Sequence, residues 1–286
     1  MIKINENELV QMSVIGEITS PSMRSPYTIT ADGELKVLPG TGGISYNVRI
    51  GMNASGWQAD HVEPGVTIKN SNELNNGALN VLSCIGNVAT VISGEAKGQK
   101  GYVTGKHGGC EHVLIDFSEE VMEKLAIGDK IQIKSVGVGL KMIEHQDIKV
   151  FNIAPDLFKK LNLQEIDGKL QVPVTHLVPA KIMGSGIGRD NVYRGDYDIQ
   201  LFDETSVKEF GLDNLKFGDF VAVMDADHSY GRIFREGSVS IGVIVHSDCV
   251  IAGHGPGVAT IFTSKEGNIT PVIDSNANLY NYFYKS

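Results

Sequence analysis

The sequence is poor in several residue types, and cysteine is the first of them. Among 286 residues there are three cysteines, Cys84, Cys110 and Cys249, with no Cys-x-x-Cys pair. An odd number of widely spaced cysteines argues against a disulfide framework and is expected in a reducing cytoplasm. A zinc site built from closely spaced thiolates is not expected either.

Aromatic residues, long apolar runs and clusters of basic residues are also scarce. Aromatic residues make up 7% of the chain, Trp57 is the single tryptophan, and glycine occurs 33 times, which is typical of many tight turns. No apolar run approaches the ~20 residues of a membrane helix, and the first residues lack a signal-peptide pattern. The formal net charge is −9 without any basic run. We therefore expect a cytoplasmic protein with neither a membrane nor a nucleic-acid partner.

Short, β-branched segments dominate what is present. Segments such as "VATVISG", "KIQIKSVGVGL", "FVAVMDA" and "SVSIGVIV" end at Gly, Asp or Asn and predict strands. Helical patterns are few and short, near residues 116–129, 154–163 and 203–215, and residues 72–85 suit a helix or a strand. The predicted fold is mainly β with a few short helices, arranged as a β-barrel or sandwich.

One repeat divides the chain. Residues 113–134 and 199–223 share a strand, a short acidic helix, a Gly-Asp pair and a second strand. The Gly permits a tight turn and the Asp accepts backbone N–H bonds there. The repeat indicates either two related halves or convergence on a common turn. We place the boundary after an N-terminal half, 1–150, so that residues 151–286 form a C-terminal half.

Histidine and aspartate are concentrated where three predicted strands of the C-terminal half end. Three of the eight histidines lie within residues 223–257. Turns explain Asp and Gly in such places but not His, so we predict a site that binds a metal ion or moves protons. The predicted metal ligands are His246, His254 and Asp227, the predicted catalytic residues here are His228, Asp248 and Cys249, and the glycines expected to approach a ligand are Gly255 and Gly257.

Three further segments carry candidate residues. In residues 46–66, Asp60 and His61 are predicted catalytic residues, and Trp57 is either a wall of the binding pocket or the anchor of a local core. In "GKHGGCEHV", His107 and Cys110 form either a nucleophile–base pair or part of a polar turn, and we favour the turn.

The glycine-rich segment "GSGIGRD" is not followed by a helix pattern, which argues against a phosphate loop. Its Arg189, and Arg194 beyond it, are predicted anchors for an anionic group of the substrate.

The segments "YNVRIGMNASGWQADHVEPGV", "GYVTGKHGG", "GDFVAVMDADHSYG" and "IGVIVHSDCVIAGHGPGV" carry a resemblance to a known family. In them the chain resembles the bacterial domain of unknown function 4438 family over nearly its whole length. This resemblance implies a β-rich, two-part cytoplasmic protein and no particular activity. A fainter likeness to acetamidase/formamidase-type amidases lies in "GD" followed by "YGRIFREGSVSIG".

These observations support three functional hypotheses. The first is a hydrolase or lyase that uses a divalent Zn, Mn or Fe ion and acts on a small polar molecule, amide-containing or anionic. The second is a non-catalytic small-ligand-binding or assembly protein without a metal, and the third is a metal-free enzyme with a His–Asp base. We expect a homo-oligomer with a small-molecule ligand. A simple hairpin of residues 220–224 and 239–245 would place Asp227 and His246 at opposite ends, whereas a crossover through "SYGRIFREG" to a parallel neighbour would bring them together.

Overall fold

The computed structural model describes residues 2–23, 25–186 and 191–285, and strands make up most of its regular structure. The strands are β1 (Met12–Ile18), β2 (Thr28–Ile29), β3 (Leu35–Lys36), β4 (Ile44–Ser45), β5 (Gly65–Lys69), β6 (Val88–Val91), β7 (Lys100–His107), β8 (His112–Asp116), β9 (Lys130–Ser135), β10 (Ile148–Val150), β11 (Gln164–Ile166), β12 (Lys169–Val174), β13 (His176–Val178), β14 (Tyr197–Asp198), β15 (Phe220–Asp227), β16 (Ile233–His246), β17 (Gly257–Ser264) and β18 (Ile269–Ile273).

The α-helices are short, and polar side chains cap the starts of several of them. They are α1 (Glu73–Leu82), α2 (Glu119–Met122), α3 (Pro155–Lys160), α4 (Glu204–Phe210) and α5 (Leu279–Tyr284). The side chain of Asn72 accepts the Asn75 N–H before α1, and Asp203 accepts the Ser206 N–H before α4. The three predicted helices are present as α2, α3 and α4, and the ambiguous segment 72–85 contains α1.

The N-terminal sheet closes into a barrel. Its strand order is β1-β9-β6-β7-β8-β5, and the pairing of Glu17 with Lys69 joins β1 back to β5. Closure removes free sheet edges, and β4 extends the sheet at β5. The barrel interior is filled by fully buried aliphatic side chains, among them Ile68, Val103 and Ile133. The prediction of a mainly β fold that contains a barrel is confirmed.

A mixed sheet forms most of the C-terminal part. Its order is β10-β17-β16-β15-β13, with β14 paired to the first residues of β17 and with β13 parallel to β15. A smaller sheet, β11-β12-β18, lies beside it. Val221, Ile241 and Phe262 are completely buried in the core of this part. Strand β10 lies in the predicted N-terminal half, 1–150, but it pairs with β17 of the C-terminal half. The mixed sheet therefore contains a strand from each predicted half.

The repeated Gly-Asp turn occurs in both parts with the same local structure. Gly128 and Gly218 have φ angles of 89° and 84°, which favour glycine. A carboxylate oxygen of Asp129 accepts the Ala126 N–H at 2.9 Å, and Asp219 accepts the Lys216 N–H at 2.9 Å. The pairings of the following strands differ, since β9 has antiparallel neighbours while β15 lies between antiparallel β16 and parallel β13.

The barrel and the mixed sheet meet where β7 crosses β16. A side chain at Gly105 would place its Cβ 2.2 Å from a methyl carbon of Val245, so glycine permits this close approach. The next residue, Lys106, is completely buried. Its ammonium donates to the side-chain oxygen of Asn152 and the carbonyl of Tyr193, both at 2.7 Å, and to the carbonyl of Val81 at 3.3 Å. Lys106 therefore ties the barrel to the C-terminal part.

Burial of Lys106 predicts a pH-dependent stability. Burial among neutral acceptors lowers its pKa from 10.5 to about 8. The unfolded chain then binds the proton more strongly, so the free energy of unfolding rises with pH between the folded-state and unfolded-state pKa values. At ~1.36 kcal/mol per pKa unit, we expect this contribution to be about 3 kcal/mol. It is complete above the unfolded-state pKa and is lost as the pH falls through the folded-state pKa.

Urea unfolding across this pH range would measure the contribution. As the pH rises, the free energy of unfolding of wild type should increase relative to that of Lys106→Met. Replacement of the exposed Lys97 by Met is the matched control and should follow wild type at every pH. A constant difference between wild type and Lys106→Met would contradict the prediction.

Candidate functional site

A cavity of about 290 Å³ opens between the end of the barrel and the mixed sheet. Its lining is polar and rich in glycine, and it contains the residues His61, His107, Gly108, Gly109, Glu111, Ser185, Gly186, Asn191, Arg194, Gly195, Asp196, Tyr197, Asp198 and His254. Gly195 lets its segment approach the backbone of Gly108, because a Cβ on Gly195 would lie 2.6 Å from the Gly108 Cα. The cavity therefore receives residues from both parts of the chain.

Four histidines from three distant segments of the sequence converge at this cavity. His107 ends β7, His246 ends β16, and His254 lies in the loop between β16 and β17. His61 precedes β5 and has a φ of 56°, a left-handed conformation in which its N–H faces the carbonyl of Asp248. The ring centroid of His61 lies 5.7 Å from that of His107 and 5.1 Å from those of His246 and His254. His107 stacks on His246 with centroids 4.1 Å apart.

Two aspartates meet His246 at the base of the cavity. Asp196 directly precedes β14 and Asp198 is its last residue, and the register of β14 on β17 pairs Asp198 with Gly257. The Nε2 atom of His246 lies 2.7 Å from Oδ2 of Asp196 and 3.5 Å from Oδ1 of Asp198. We call His246, Asp196 and Asp198 the deep triad. Its ligand atoms all lie within 4.8 Å of one another.

The deep triad contains polar atoms that the described residues leave unsatisfied. His246 Nδ1 donates to the carbonyl of Ser247 at 2.9 Å, so Nε2 of a neutral ring presents its lone pair to the carboxylates. His246 Nε2 and Asp196 Oδ2 are buried and have no hydrogen-bond partner of adequate geometry within the described ranges. Buried polar atoms without partners are costly and call for an explanation. A cation between them would satisfy both.

A second group of ligands lies on the cavity side of the deep triad. His61 Nε2 is 3.2 Å from His254 Nδ1, and Oδ2 of Asp198 lies 3.1 Å from His254 Nδ1 and 3.8 Å from His61 Nε2. We call His61, His254 and Asp198 the outer triad. His61 Nδ1 lies 2.9 Å from Oδ1 of Asp60, which orients the ring.

The carboxylates of the site stabilise positive charge on the neighbouring histidines. Burial opposes the charged form of His61, but the hydrogen bonds to Asp198 and Asp60 outweigh it and raise its pKa to about 11. Burial likewise opposes charge on His246, and Asp196 and Asp198 raise its pKa well above the usual value. The positive charge next to these carboxylates is therefore either a proton on each imidazole or a metal ion that takes its place.

A buried carboxylate holds His107 from behind. Glu63 is 1% exposed, and its Oε1 lies 2.6 Å from His107 Nδ1 and 3.0 Å from His112 Nδ1. Its Oε2 accepts the Gly42 N–H at 2.7 Å and the Thr67 hydroxyl at 2.6 Å. A carboxylate can only accept hydrogen bonds, so Nδ1 of His107 carries the ring proton. The lone pair of a neutral ring is then on Nε2, on the side of the cavity. Cys110 also faces Glu63 at 3.6 Å, but the full set of donors on Glu63 leaves no oxygen for a metal there.

Glycine at 257 makes the deep triad sterically possible. A Cβ on Gly257 would lie 1.8 Å from Oδ2 of Asp196 and 2.3 Å from Nε2 of His246. Gly255 has a different function, because its Cβ would collide with the carbonyl of Ile199 at 1.8 Å. Gly255 and Gly257 were predicted to contact a ligand, but neither belongs to the cavity lining.

A buried arginine lies beside the two aspartates. Arg232 is 0% exposed, and its Nη1 donates to the carbonyl of Asp198. Its Nε and Nη2 have no hydrogen-bond partner among the described residues. Burial lowers its pKa to about 10, although the charges of Asp198 and Asp196 oppose this change. Its positive charge reduces the repulsion between the carboxylates of the deep triad.

Some of the predicted site residues lie at the cavity or directly behind it. His61, His254 and Arg194 belong to the lining, and His246 lies beneath it. Cys249 Sγ lies 2.8 Å from Oδ1 of Asp60, and Asp60 contacts His61, so both support the outer triad.

Other predicted site residues support neighbouring backbone or occupy another face. A carboxylate oxygen of Asp248 accepts the Gly56 N–H at 3.2 Å. Trp57 donates to the carbonyl of Asn53 at 2.7 Å and packs on the main core. Arg189 lies outside the described residues.

Asp227 and His228 are not part of the cluster. Strands β15 and β16 form an antiparallel hairpin in which Phe220 pairs with Val243 and Asp227 with Ile233, so Asp227 and His246 lie at opposite ends. Asp227 forms an ion pair with Arg235 at 3.4 Å. The Nδ1 of His228 bonds the Thr260 hydroxyl at 2.6 Å, inside the mixed sheet. Asp227 and His228 were predicted as site residues because they follow the end of a strand. Since β15 runs antiparallel to β16, that end lies away from His246.

The sequence interpretation missed Asp196 and Asp198 and assigned His107 to a turn. The signal for the aspartates was present in "RGDYDI", where two carboxylates occupy alternate positions just after a glycine-rich loop. Alternate residues of a strand face the same side, so the pair can point into one cavity. His107 could not be assigned from spacing, because Glu63 is 44 residues away.

A closed barrel and a mixed sheet with a histidine–aspartate centre between them define a β-rich protein built from two parts. The chain belongs to the DUF4438 family: the model described as "Domain of unknown function (DUF4438), N-terminal" matches residues 27–159, and "Domain of unknown function (DUF4438), C-terminal" matches 160–283. The family predicted from the sequence is confirmed.

The chain is also similar to a solved structure described as "Crystal structure of TM1086", with 51% sequence identity and a TM-score of 0.94. The match covers 98% of this chain and 99% of that one. No curated protein matches the chain. Within the described ranges, none of the helices has the length and apolar character needed to cross a membrane.

Proposed function

We propose that this protein is a metal-dependent hydrolase that acts on a small polar molecule, with a divalent ion held by His246, Asp196 and Asp198. The observation that carries the proposal is the pair of buried atoms, His246 Nε2 and Asp196 Oδ2, which lie 2.7 Å apart without a hydrogen bond. One imidazole and two carboxylates form a donor set that suits Zn, Mn or Fe.

The surroundings of the deep triad support a metal ion over a purely structural cluster. His246 donates its other ring N–H to the Ser247 carbonyl, the arrangement that fixes the tautomer of a metal-bound histidine. Gly257 keeps the space between His246 and Asp196 free of side-chain atoms. Arg232 holds the backbone of Asp198 in place through its carbonyl.

The residues around the cavity are suited to hydrolysis. A divalent ion at the deep triad would lower the pKa of a bound water towards ~7 and polarise a carbonyl group of the substrate. His107, whose Nδ1 proton is held by Glu63, presents Nε2 as the group that accepts or returns a proton. A lyase reaction uses the same base and is the alternative within this class.

The size and lining of the cavity limit the substrate. A volume of about 290 Å³ lies at the lower end of ligand pockets, which are typically ~300–1,000 Å³. Arg194 and Asn191 belong to the lining and suit a carboxylate or an amide group. We therefore propose a small amide-containing or anionic substrate. The cytoplasmic location, the homo-oligomer and the absence of a nucleic-acid partner stay predictions.

Metal analysis of the full chain tests the proposal. We expect the purified protein to contain Zn, Mn or Fe, or to bind one of these ions after treatment with a chelator and to gain thermal stability from it. Asp196→Asn keeps the shape of the side chain but removes its charge, and should weaken the binding by at least the ~10–100-fold that changes behind metal ligands cause. With the metal bound, wild type should hydrolyse members of a panel of small amides and esters, and Asp196→Asn should not.

His176→Ala is the matched control, since His176 bonds Thr175 and lies on β13, outside the cavity lining. It should bind metal as wild type does. If wild type binds none of these ions, the metal proposal is wrong. Turnover that is then lost in His107→Gln would identify a metal-free enzyme, while retained ligand binding without turnover would identify a non-catalytic binding protein.

A further inference from the structure

We infer that the centre holds two divalent ions rather than one, with the second ion bound by the outer triad and with Asp198 bridging both. This inference rests on the proposed function, because it adds an ion to the same centre. The second ion would have His61 Nε2, His254 Nδ1 and Oδ2 of Asp198 as its ligands. The first would keep His246 Nε2, Asp196 Oδ2 and Oδ1 of Asp198.

The spacing of the outer triad suits one ion. Its donor atoms are 3.1, 3.2 and 3.8 Å apart. Ligands on a tetrahedral ion with bonds of ~2.0–2.2 Å are separated by roughly 3.4 Å. The three distances lie on both sides of this value, so an ion among the three atoms requires only small movements of side chains.

The tautomer of His61 is the one that metal binding requires. Asp60 is an acceptor at 2.9 Å from Nδ1, so the lone pair of a neutral ring is on Nε2, which faces His254 and Asp198. Carboxylates behind metal-bound histidines commonly have this position. Asp60 is itself fixed by Cys249 Sγ at 2.8 Å and the Thr28 hydroxyl at 3.4 Å.

Asp198 has the geometry of a bridge. Its Oδ1 is the oxygen near His246, at 3.5 Å, and its Oδ2 is the oxygen near His254, at 3.1 Å. Each oxygen therefore faces a different set of imidazoles. Ions in two-metal sites are ~3.5–4 Å apart and clamp the attacking and leaving oxygens of a reaction. A shared carboxylate at the base of the cavity fits this arrangement.

The charge of the surroundings also favours a second ion. The carboxylates of Asp60, Glu63, Asp196 and Asp198 have side chains at most 16% exposed. A single divalent ion together with Arg232 carries less positive charge than these four groups carry negative charge. A second ion would offset this deficit of positive charge.

The two positions differ in access to the cavity. All three residues of the outer triad belong to the cavity lining, and the side chain of His254 is 35% exposed. His246 is completely buried and does not belong to the lining. The second ion would therefore lie nearer the cavity opening and exchange more readily, and the first would be held more tightly.

Titration of the metal-free full chain with Mn²⁺ tests this inference through stoichiometry and EPR. We expect wild type to bind two ions, the first more tightly, and to show the EPR signal of a magnetically coupled Mn²⁺ pair. His254→Ala should bind one ion and show the hyperfine pattern of an isolated Mn²⁺. His61→Gln is a second variant for the same position, and His176→Ala should remain like wild type.

The outcomes separate the inference from the proposed function. One ion in wild type, with the same stoichiometry in His254→Ala and loss of binding in Asp196→Asn, would overturn the second ion and leave the first in place. No binding of Mn²⁺, Zn²⁺ or Fe²⁺ to wild type would overturn both. Two uncoupled ions, or two ions that persist in His254→Ala and His61→Gln alike, would show that the second ion lies elsewhere and would overturn the bridge.

Discussion

Replacement of Gly257 by alanine is expected to abolish metal binding at the deep triad. The added Cβ would lie 1.8 Å from Oδ2 of Asp196 and 2.3 Å from Nε2 of His246, which is the space an ion between them would need. The side chains of Asp196 and His246 have little room to move away from the added Cβ, because both are buried. The backbone is also fixed here by the pairing of β14 with β17. We expect binding to fall below detection by calorimetry and stability to fall by the ~1–3 kcal/mol typical of overpacking.

The control for Gly257→Ala is Gly77→Ala in α1. A Cβ at Gly77 meets no atom within 4 Å, and alanine in a helix interior is favoured over glycine by roughly 0.5–1 kcal/mol. Gly77→Ala should therefore bind metal normally and be equally or slightly more stable. Normal metal affinity in a folded Gly257→Ala protein would show that the deep triad is not the site.

Replacement of Glu63 by glutamine is expected to destabilise the protein by about 3 kcal/mol, since charge-assisted bonds are lost and a buried donor loses its acceptor. Both oxygens of Glu63 accept bonds, from His107 and His112 on one side and from the Gly42 N–H and Thr67 on the other. The amide NH₂ of glutamine must face one of these sides, where it meets donors. The Gly42 N–H cannot become an acceptor, and the imidazoles can do so only by changing their tautomers.

Urea unfolding of Glu63→Gln and NMR of the imidazole nitrogens would measure these two consequences. We expect a lower free energy of unfolding and a change in the tautomer of His107. Glu120→Gln, at an exposed position in α2, should change neither. A Glu63→Gln protein as stable as wild type, with the His107 tautomer unchanged, would show that Glu63 does not hold the ring.

The strands and short helices could be predicted from the sequence because their signals are local. Apolar alternation with Gly and Asp at the edges marks β9, β15 and β16, Pro155 marks the start of α3, and the Asp203 cap marks the start of α4. Barrel closure could not be predicted, because it depends on the pairing of Glu17 with Lys69, which no local pattern specifies. The direction of β16 relative to β15 was the open question for the site, and the hairpin separates Asp227 from His246.

The candidate site was predictable only in part. Strand ends drew attention to His246 and His254, and the polar segment 46–66 drew attention to His61. The structure brings these three residues together. Asp196 and Asp198 follow the loop in which only Gly and Arg were considered, and their approach to His246 depends on the pairing of β14 with β17. His107 depends on the approach of the barrel to the mixed sheet at Gly105, which is a tertiary contact.

The residues of the centre are divided between the two family models, so neither part contains all of them. His61, Glu63 and His107 lie in the part matched by the first model, and Asp196, Asp198, His246 and His254 lie in the part matched by the second. A gene that encoded one part alone would specify an incomplete set of side chains around the cavity. Recombination that exchanged one part would have to preserve the fit between Gly105 and Val245 as well. We therefore expect the two parts to be inherited together.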